Sequence, residues 1–184
     1  MINTKIITKE KAPTNFGSDS EKLGLYLHFP FCLRKCRYCD FASEDQRLER
    51  IPAYTEALVK EIALRADQQA ERAELQTIYF GGGTPNLFGI NNFGKVTQAI
   101  REYYLTKNVA EFTVEINPGV LTADFLEYLK AEGVNRLSLG AQSFNDDELL
   151  TLGRIHKSRE IDIAVKQLRQ TGFSNFSMDF IYGI

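Results

Sequence analysis

A chain of 184 residues with a net charge of −2 is long enough for one globular domain, and its 43% hydrophobic and 25% charged residues are close to the globular average. No basic stripe stands out, so nucleic acid is not an expected partner, and no apolar run approaches the ~18 residues of a transmembrane segment. The polar N-terminus lacks the apolar stretch of a secretory signal, which makes the cytoplasm the expected location.

The first 22 residues are predicted to form a mobile leader, because Pro13 and Gly17 interrupt any regular pattern. After the leader, short β-rich apolar runs alternate with segments whose apolar residues recur at steps of three and four. The predicted strands are Gly24–Phe29, Thr77–Phe80, Phe112–Ile116, Val134–Leu139 and Asn175–Ile181. The predicted helices cover about Ile51–Asp67, Phe93–Tyr103, Thr122–Gly133, Asn145–Leu152 and Ile161–Leu168.

Strands that alternate with helices predict an α/β fold with parallel strands and right-handed crossovers. Two architectures satisfy that pattern, a βα barrel, whole or partial, and an open doubly wound sheet. In both, ligands bind beyond the C-terminal ends of the strands, so the residues that follow each strand are the ones to inspect. Residues 23–184 are expected to be one core domain, incomplete because the sequence stops at the end of the fifth predicted strand.

The only three cysteines, Cys32, Cys36 and Cys39, lie within eight residues directly after the first predicted strand. An odd number of crowded thiols suggests metal binding or redox chemistry rather than disulfides. The C-x3-C-x2-C spacing lets three thiolates reach one iron–sulfur cluster. Three protein ligands on a 4Fe–4S cluster leave one iron open for chemistry.

Basic residues interleave with these cysteines, and Arg34, Lys35 and Arg37 are expected to lower the pKa of the thiols. A structural zinc site with His28 as fourth ligand is one alternative, although such sites usually use paired cysteine knuckles and the sequence has no second pair. Three unligated thiols are another alternative, disfavoured by their crowding beside basic residues.

A glycine-rich segment, Gly81–Pro85, follows the second predicted strand. Three glycines at a strand end let the backbone approach a ligand closely, since no Cβ intervenes, and free backbone groups can bind the charged ends of a small molecule. A tight turn is the alternative, but a turn rarely needs three glycines. No Gly-Lys-Ser/Thr follows, so a phosphate-binding loop is disfavoured.

Polar residues recur where the later strands end. Glu115 ends the third strand, where a carboxylate can accept two hydrogen bonds from a ribose diol. Taken alone, this residue is better interpreted as a solvated charge at a strand end. Gln142 closes the fourth strand, and Asp179, between Met178 and Phe180, is expected to be paired or functional. Arg154 can pair with a ligand carboxylate, whereas His156 reads as an ordinary loop residue.

Together these residues resemble the radical SAM (S-adenosylmethionine) family over about residues 23–184. The resemblance rests on five motifs in order: YLHFPFC, YFGGGTP, EINPG, RLSLGAQSF and DFIYG. They are similar to one branch of the family, which holds the oxygen-independent coproporphyrinogen III dehydrogenases and the HemW haem chaperones.

The resemblance implies a partial (β/α)6 barrel of six units, of which five are present, with a 4Fe–4S cluster on Cys32, Cys36 and Cys39. It implies that the cluster and SAM site is lined by Tyr26 and Tyr38, and that the SAM methionyl end meets Gly82, Gly83 and Thr84. Glu115 would hold the ribose, and the nucleoside or second-SAM pockets would be completed by Gln142, Arg154 and Asp179. In this class the reduced cluster cleaves SAM to methionine and a 5′-deoxyadenosyl radical.

One position separates the two groups of the branch. The dehydrogenases resemble C-x3-C-x2-C-x-C, and here the place of the fourth cysteine is taken by Phe41. Phe41 resembles the chaperones, which bind haem and hand it to acceptor proteins. The expected function is therefore a HemW-like haem chaperone; SAM cleavage is compatible with the motifs, and Phe41 disfavours coproporphyrinogen oxidation.

The chaperones' haem-contacting His-Asn motif lies in a C-terminal domain that is not part of this sequence. Haem is therefore expected as a partner only of a full-length form, and the acceptor protein is unidentified. Two alternatives remain, a coproporphyrinogen III oxidase of porphyrin biosynthesis and an inactive truncated product that never assembles the cluster.

Overall fold

The structure is a computed structural model that describes residues 22–68 and 72–184. The predicted leader falls on residues outside these ranges, except for Lys22, which begins a strand. The strands are β1 Lys22–Phe29, β2 Phe31–Cys32, β3 Glu44–Asp45, β4 Glu74–Gly82, β5 Glu111–Ile116, β6 Arg136–Gln142 and β7 Phe176–Phe180. The α-helices are α1 Ile51–Asp67, α2 Gly89–Tyr103, α3 Ala123–Ala131, α4 Asp146–Leu152 and α5 Ser158–Gln170. Short 3-10 turns cover Leu48–Arg50, Pro85–Leu87 and Pro118–Val120.

Five strands form one parallel sheet in the order β1-β4-β5-β6-β7, and β2 and β3 form a separate two-residue parallel pair. In a doubly wound sheet the strand order reverses at a switch point, whereas here each long strand pairs with the next one along the chain. The order is therefore that of a βα barrel, and the predicted partial barrel is confirmed, with five parallel strands.

The predicted elements are all present, with shifted ends. One such difference is at β4, which extends from Glu74 to Gly82 where Thr77–Phe80 was predicted. Polar residues at the start of β4 interrupt the apolar pattern from which strands are predicted, so the first part of this strand was not predicted. Gly81 and Gly82 belong to the strand itself, paired with the last two residues of β1, rather than to a loop after it. The glycine segment is thus held by sheet hydrogen bonds.

Helix ends are set by local capping. Thr122 Oγ1 accepts a hydrogen bond from the Phe125 amide at 3.3 Å and begins α3, as predicted. Asn145 does the same for α4, accepting from the Asp147 amide at 2.9 Å. Gly153, at φ 76°, ends α4 in a left-handed conformation that suits glycine. The segment after α4 therefore turns sharply at a defined residue.

The core lies between one face of the sheet and the helices. Alternate residues of β1, β4, β5 and β6 are buried on this face, as the two-residue period of a strand requires. The sheet contributes Leu27, Phe80, Val114, Leu137 and Leu139, and the helices contribute Phe93, Leu126, Leu129, Ile161 and Leu168.

The other face of the sheet is polar and aromatic. Its residues hydrogen-bond across neighbouring strands, as in the bond from Tyr79 to Glu115 between β4 and β5 and the bond from Ser138 to Asp179 between β6 and β7. The polar strand ends that the sequence singles out therefore share one face and one edge. None of the described helices is long and apolar enough to cross a membrane.

Candidate functional site

The cysteine loop runs from β2 to β3. Cys32, the last residue of β2, is buried, Cys36 and Cys39 are half-buried, and all three thiols are free. The Cys39 amide donates to the Cys36 carbonyl at 3.1 Å, which keeps these two cysteines adjacent. Among the described residues, no three His, Cys, Asp or Glu side chains are close enough together to hold a single metal ion. The three thiols as they stand do not form a mononuclear site.

His28, the fourth ligand of the zinc alternative, already has partners at both ring nitrogens. Its Nε2 lies 2.7 Å from the carbonyl oxygen of Ala42, and its Nδ1 lies 3.2 Å from the hydroxyl of Tyr26. His28 therefore ties β1 to the end of the cysteine loop. This arrangement disfavours His28 as a zinc ligand, since neither nitrogen is free to join the thiols.

The basic residues of the loop stabilise its backbone. Lys35 Nζ donates to the carbonyls of Phe41 and Ser43 at 3.2 and 3.4 Å, and Arg37 Nη1 donates to the Thr151 carbonyl at 3.4 Å. Arg34 is exposed. Lys35 therefore stabilises the loop conformation, and Arg37 attaches the loop to the end of α4.

The expectation that basic neighbours lower the thiol pKa is wrong for Cys32. Burial raises the pKa of this thiol, and the hydroxyls of Thr84 and Ser43 beside it oppose the rise. The negative charges of Cys39 and Cys36 raise it further. Burial dominates because Cys32 ends a buried strand, a fact that neighbours in sequence do not reveal.

The cation that reaches a thiol is Arg154. Its Nη1 lies 3.4 Å from Cys36 Sγ and 3.4 Å from the Tyr38 hydroxyl, and its Nη2 donates to the Gly140 carbonyl at 2.9 Å. Arg154 and Cys36 are 118 positions apart in the sequence. The positive charge beside a thiol, which the sequence suggested for Arg34, Lys35 and Arg37, therefore comes from Arg154 in the loop after α4.

Gly83 lies against the cysteine loop. Its amide donates to the Phe29 carbonyl at 2.6 Å, and a Cβ added there would lie 2.6 Å from the Phe31 carbonyl oxygen and 3.0 Å from Cys32 Sγ. Only glycine fits at this position, because any Cβ would collide with these atoms. The neighbouring Thr84 is buried, and its Oγ1 lies 3.7 Å from Cys32 Sγ.

Glu115, near the end of β5, is held by the adjacent strand. Its Oε1 accepts from the Tyr79 hydroxyl at 2.7 Å, and its Oε2 accepts from the Gly82 amide at 2.9 Å. Gly82 has φ 120°, a backbone conformation that residues with a side chain rarely adopt. Tyr26 stacks on Tyr79 with ring centroids 5.8 Å apart. Two strands thus orient one carboxylate.

Gln142 and Asp179 lie at the ends of β6 and β7. Gln142 has φ 68°, an uncommon conformation for a residue other than glycine, and its carbonyl accepts from the Ile181 amide at 3.0 Å. Asp179 is exposed rather than buried, and it accepts from Ser138 Oγ at 2.9 Å. Asp179 is therefore paired, as expected, but it is not buried, which was the reason for that expectation.

The predicted site residues fall into two contact groups. One group, called here the cysteine half, comprises Cys32, Cys36, Cys39, Tyr38, Gly83, Thr84 and Arg154. The other, called here the carboxylate half, comprises Tyr26, Gly82 and Glu115, together with Tyr79. Gln142 adjoins Arg154, since a Cβ on Gly140 would lie 3.1 Å from Gln142 Nε2 and 3.5 Å from Arg154 Nη2. Asp179 stands apart, bonded to Ser138.

Sequence reasoning missed several residues at the site. Tyr79 lies two residues before Gly81 on the same face of β4, so strand alternation could have found it. Asn86 and Asn117 follow β4 and β5. Asn86 Nδ2 donates to the Asn117 carbonyl at 3.1 Å, and Asn86 Oδ1 accepts from the Asn117 amide at 3.0 Å. His156 is buried beside Arg154, and no local pattern indicates that.

The site fits an iron–sulfur cluster with a small polar ligand. Three free thiols lie on one loop, beside a glycine that admits no Cβ. Among the described residues, the buried Nε of Arg154, whose guanidinium adjoins Cys36, has no hydrogen-bond partner. Thiolates are the ligands that such clusters use, and an unpartnered polar atom is suited to a bound group.

Comparison with known proteins agrees with this geometry. Residues 26–184 match the radical SAM superfamily. A "Heme chaperone HemW" of Lactococcus lactis is 39% identical over 159 residues, which are 86% of this chain and 41% of the relative. An "Oxygen-independent coproporphyrinogen III oxidase" of Bradyrhizobium diazoefficiens is 38% identical, over 87% of this chain and 36% of the relative.

Among solved structures, the coproporphyrinogen III oxidase HemN of Escherichia coli, titled a radical SAM enzyme, superposes with a TM-score of 0.81 at 30% identity. The match covers 88% of this chain and 37% of that one. The chain thus spans about two fifths of the length of the proteins it matches. The chain belongs to the radical SAM superfamily, and this membership implies a 4Fe–4S cluster and S-adenosylmethionine.

Proposed function

We propose that this chain is the N-terminal portion of a cytoplasmic HemW-type haem chaperone, a protein that binds haem and transfers it to acceptor proteins. Relatives that carry that name, including the one from Lactococcus lactis, support the proposal. Because the chain spans about two fifths of those relatives, haem binding and transfer are proposed for the whole protein and the cluster site for this portion.

The observation that carries the proposal is Phe41. It takes the place where the coproporphyrinogen dehydrogenases have a fourth cysteine, and it is 61% exposed at the outer turn of the cysteine loop. Its carbonyl, not its side chain, stabilises the loop by accepting from Lys35 Nζ at 3.2 Å. A thiol at this position is therefore not needed for the loop conformation, so its absence points to a difference in function.

In this proposal Cys32, Cys36 and Cys39 hold the cluster and leave one iron to SAM. The cluster, when bound and reduced, supplies the electron that cleaves the SAM sulfonium. The methionyl end lies against Gly82, Gly83 and Thr84, whose backbone amides already donate to Glu115 and to the carbonyls of Phe29 and Phe31. Tyr26 and Tyr38 line the site, and Gln142, Arg154 and Asp179 bind the nucleoside or a second SAM.

Glu115 is suited to hold the ribose. Each of its carboxylate oxygens accepts one hydrogen bond from the protein, from Tyr79 or from Gly82, and each oxygen keeps a further lone pair. Two free acceptor positions match the two hydroxyls of a ribose diol. The protein bonds orient the carboxylate before the ligand arrives, which reduces the entropy lost on binding.

A second candidate function is oxidation of coproporphyrinogen III. The relative from Bradyrhizobium diazoefficiens, at 38% identity, and the HemN structure, at 30%, favour it. The two functions differ in their readout, because one predicts a stable haem complex and the other predicts conversion of coproporphyrinogen to protoporphyrinogen with SAM and a reductant.

The test starts with anaerobic reconstitution of the 184-residue chain, for which about four irons and four sulfides per chain are expected. A chain that takes up no iron would establish the inactive product instead. The protein from the complete gene is then titrated with haem and, separately, supplied with coproporphyrinogen, SAM and dithionite. A Soret band without porphyrin product supports the chaperone, whereas product formation, or an intact cluster without haem binding, rejects it.

A further inference from the structure

A buried histidine, His156, lies two residues beyond Arg154, the arginine of the cysteine half. α4 ends at Leu152, Gly153 turns the chain, and His156 follows two residues after Arg154, just before α5. His156 is only 3% exposed. It packs against the 118–120 turn, where a Cβ added to Gly119 would lie 3.1 Å from His156 Cβ. The tight packing fixes the place of the imidazole.

The two ring nitrogens of His156 have opposite roles. Nε2 lies 3.1 Å from the Ala141 carbonyl oxygen, which can only accept, so Nε2 carries the proton. Nδ1 lies 3.4 Å from Arg154 Nη2, which can only donate, so Nδ1 is the acceptor. Burial, with the positive charge of Arg154, lowers the pKa of His156 to about 4, which keeps the ring neutral. A single tautomer thus satisfies both contacts.

The guanidinium of Arg154 is fixed from behind by two acceptors. Its Nη2 donates to the Gly140 carbonyl at 2.9 Å and faces His156 Nδ1, so both hydrogens of that nitrogen have partners. Because the guanidinium is planar, fixing Nη2 also directs Nη1 toward Cys36 Sγ, 3.4 Å away. Loss of the imidazole acceptor would leave one Nη2 hydrogen without a partner, and the guanidinium plane would then be held by the Gly140 bond and by the 3.4 Å contacts of Nη1 with Cys36 and Tyr38.

We propose that His156 is a positioning residue that holds the Arg154 guanidinium against the sulfur of Cys36. The proposal rests on the proposed role of Cys36 as a cluster ligand. A positive charge beside a ligand sulfur stabilises the reduced cluster, which carries one more negative charge, and so raises its reduction potential. The ring nitrogens of His156 contact Arg154 and Ala141 rather than a cysteine, so His156 acts through Arg154.

Two substitutions separate the acceptor role from packing. In His156→Asn the side-chain oxygen can occupy the place of Nδ1 and accept from Arg154, while the bond to Ala141 is lost. In His156→Gln the longer amide can donate to Ala141 in place of Nε2, while the acceptor at Nδ1 is lost. Thermal unfolding of both variants establishes that they fold.

The first readout is the nitrogen-15 NMR signal of the Arg154 side chain in the cluster-free chain, and the second is the reduction potential of the reconstituted cluster, followed by electron paramagnetic resonance. We expect His156→Gln to lose the slow-exchanging Arg154 signal and to lower the potential, and His156→Asn to retain both. Wild-type behaviour of His156→Gln, or equal changes in the two variants, would overturn the proposal. If no cluster assembles, the function proposed above fails, and the NMR readout still decides the role of His156.

Discussion

The two halves of the candidate site are held in place by different kinds of structure. In the carboxylate half, Glu115 and its partners Tyr79 and Gly82 lie on two paired strands. In the cysteine half, the loop has a two-residue strand pair, and its anchors come from the far end of the chain, such as the bond from the Arg37 amide to the Leu152 carbonyl at 3.0 Å. Sheet register positions the first half, whereas packing between distant segments positions the second. The cysteine half should therefore be the more easily disrupted.

The largest effect is expected from Gly83→Ala, which places a methyl group 2.6 Å from the Phe31 carbonyl oxygen and 3.0 Å from Cys32 Sγ. A backbone oxygen cannot move aside without disturbing the cysteine loop, so we expect a loss of about 3 kcal/mol in the free energy of unfolding and of most of the bound iron. Chemical denaturation and iron analysis measure the two effects.

Gly133→Ala is the matched control for that substitution. Gly133 has φ 88°, and no atom lies within 4 Å of an added Cβ. The backbone strain should cost about 1–2 kcal/mol while iron uptake stays at the wild-type level. Equal iron contents in the two variants would mean that the close approach at Gly83 does not matter to the cysteine half.

The cysteine half should also depend on pH through His156. Its pKa is about 4 in the folded chain against an ordinary 6.5, so the unfolded chain binds the proton first as the pH falls. The neutral ring therefore contributes its full stabilisation above pH 6.5, and the free energy of unfolding falls by about 3 kcal/mol as the pH falls from 6.5 to about 4. Denaturation of the cluster-free chain at several pH values measures it, and His156→Asn should show a shallower loss. Parallel pH profiles would contradict this expectation.

In the carboxylate half, Tyr79→Phe removes the donor to Glu115 Oε1 and leaves the Gly82 bond in place. We expect SAM to bind about fivefold more weakly, corresponding to about 1 kcal/mol, with the iron content unchanged. Calorimetric titration of the reconstituted chain gives the affinity. Tyr103→Phe, on α2, is the control that should leave it unaltered. A loss of cluster in Tyr79→Phe would mean that the two halves are not independent.

The smallest effect compares two helix caps. Asn145→Ala and Thr122→Ala each remove a capping bond and should lower the free energy of unfolding by about 0.5–1 kcal/mol. Of these two helices α4 is the one whose C-terminal end bonds to the cysteine loop, so Asn145→Ala, and not Thr122→Ala, should speed loss of the brown chromophore to a chelator. Equal rates in the two variants would indicate that α4 does not anchor the loop.

Much of the candidate site was predictable because its residues directly follow apolar strands. Cys32, Gly82 and Glu115 each lie at or near such a strand end, and the structure gathers these ends at one edge of the sheet. The partners of these residues were not predictable. Arg154 meets Cys36 across 118 positions, and no spacing rule connects them. For Cys32, the mistaken expectation that Arg34, Lys35 and Arg37 lower the thiol pKa followed from reading proximity in sequence as proximity in space.

The sequence by itself determined which segments become strands and helices, where the thiols, glycines and carboxylate fall along them, and which superfamily they resemble. These properties are local, since hydrophobic periodicity, caps and motif spacing each span a few residues. Only the tertiary structure decided the sequential strand order that excludes a doubly wound sheet, the burial that raises the pKa of Cys32, and the approach of His156 and Arg154 to the cysteine loop. Burial and long-range contacts depend on how distant segments pack, and that arrangement exists only once the chain has folded.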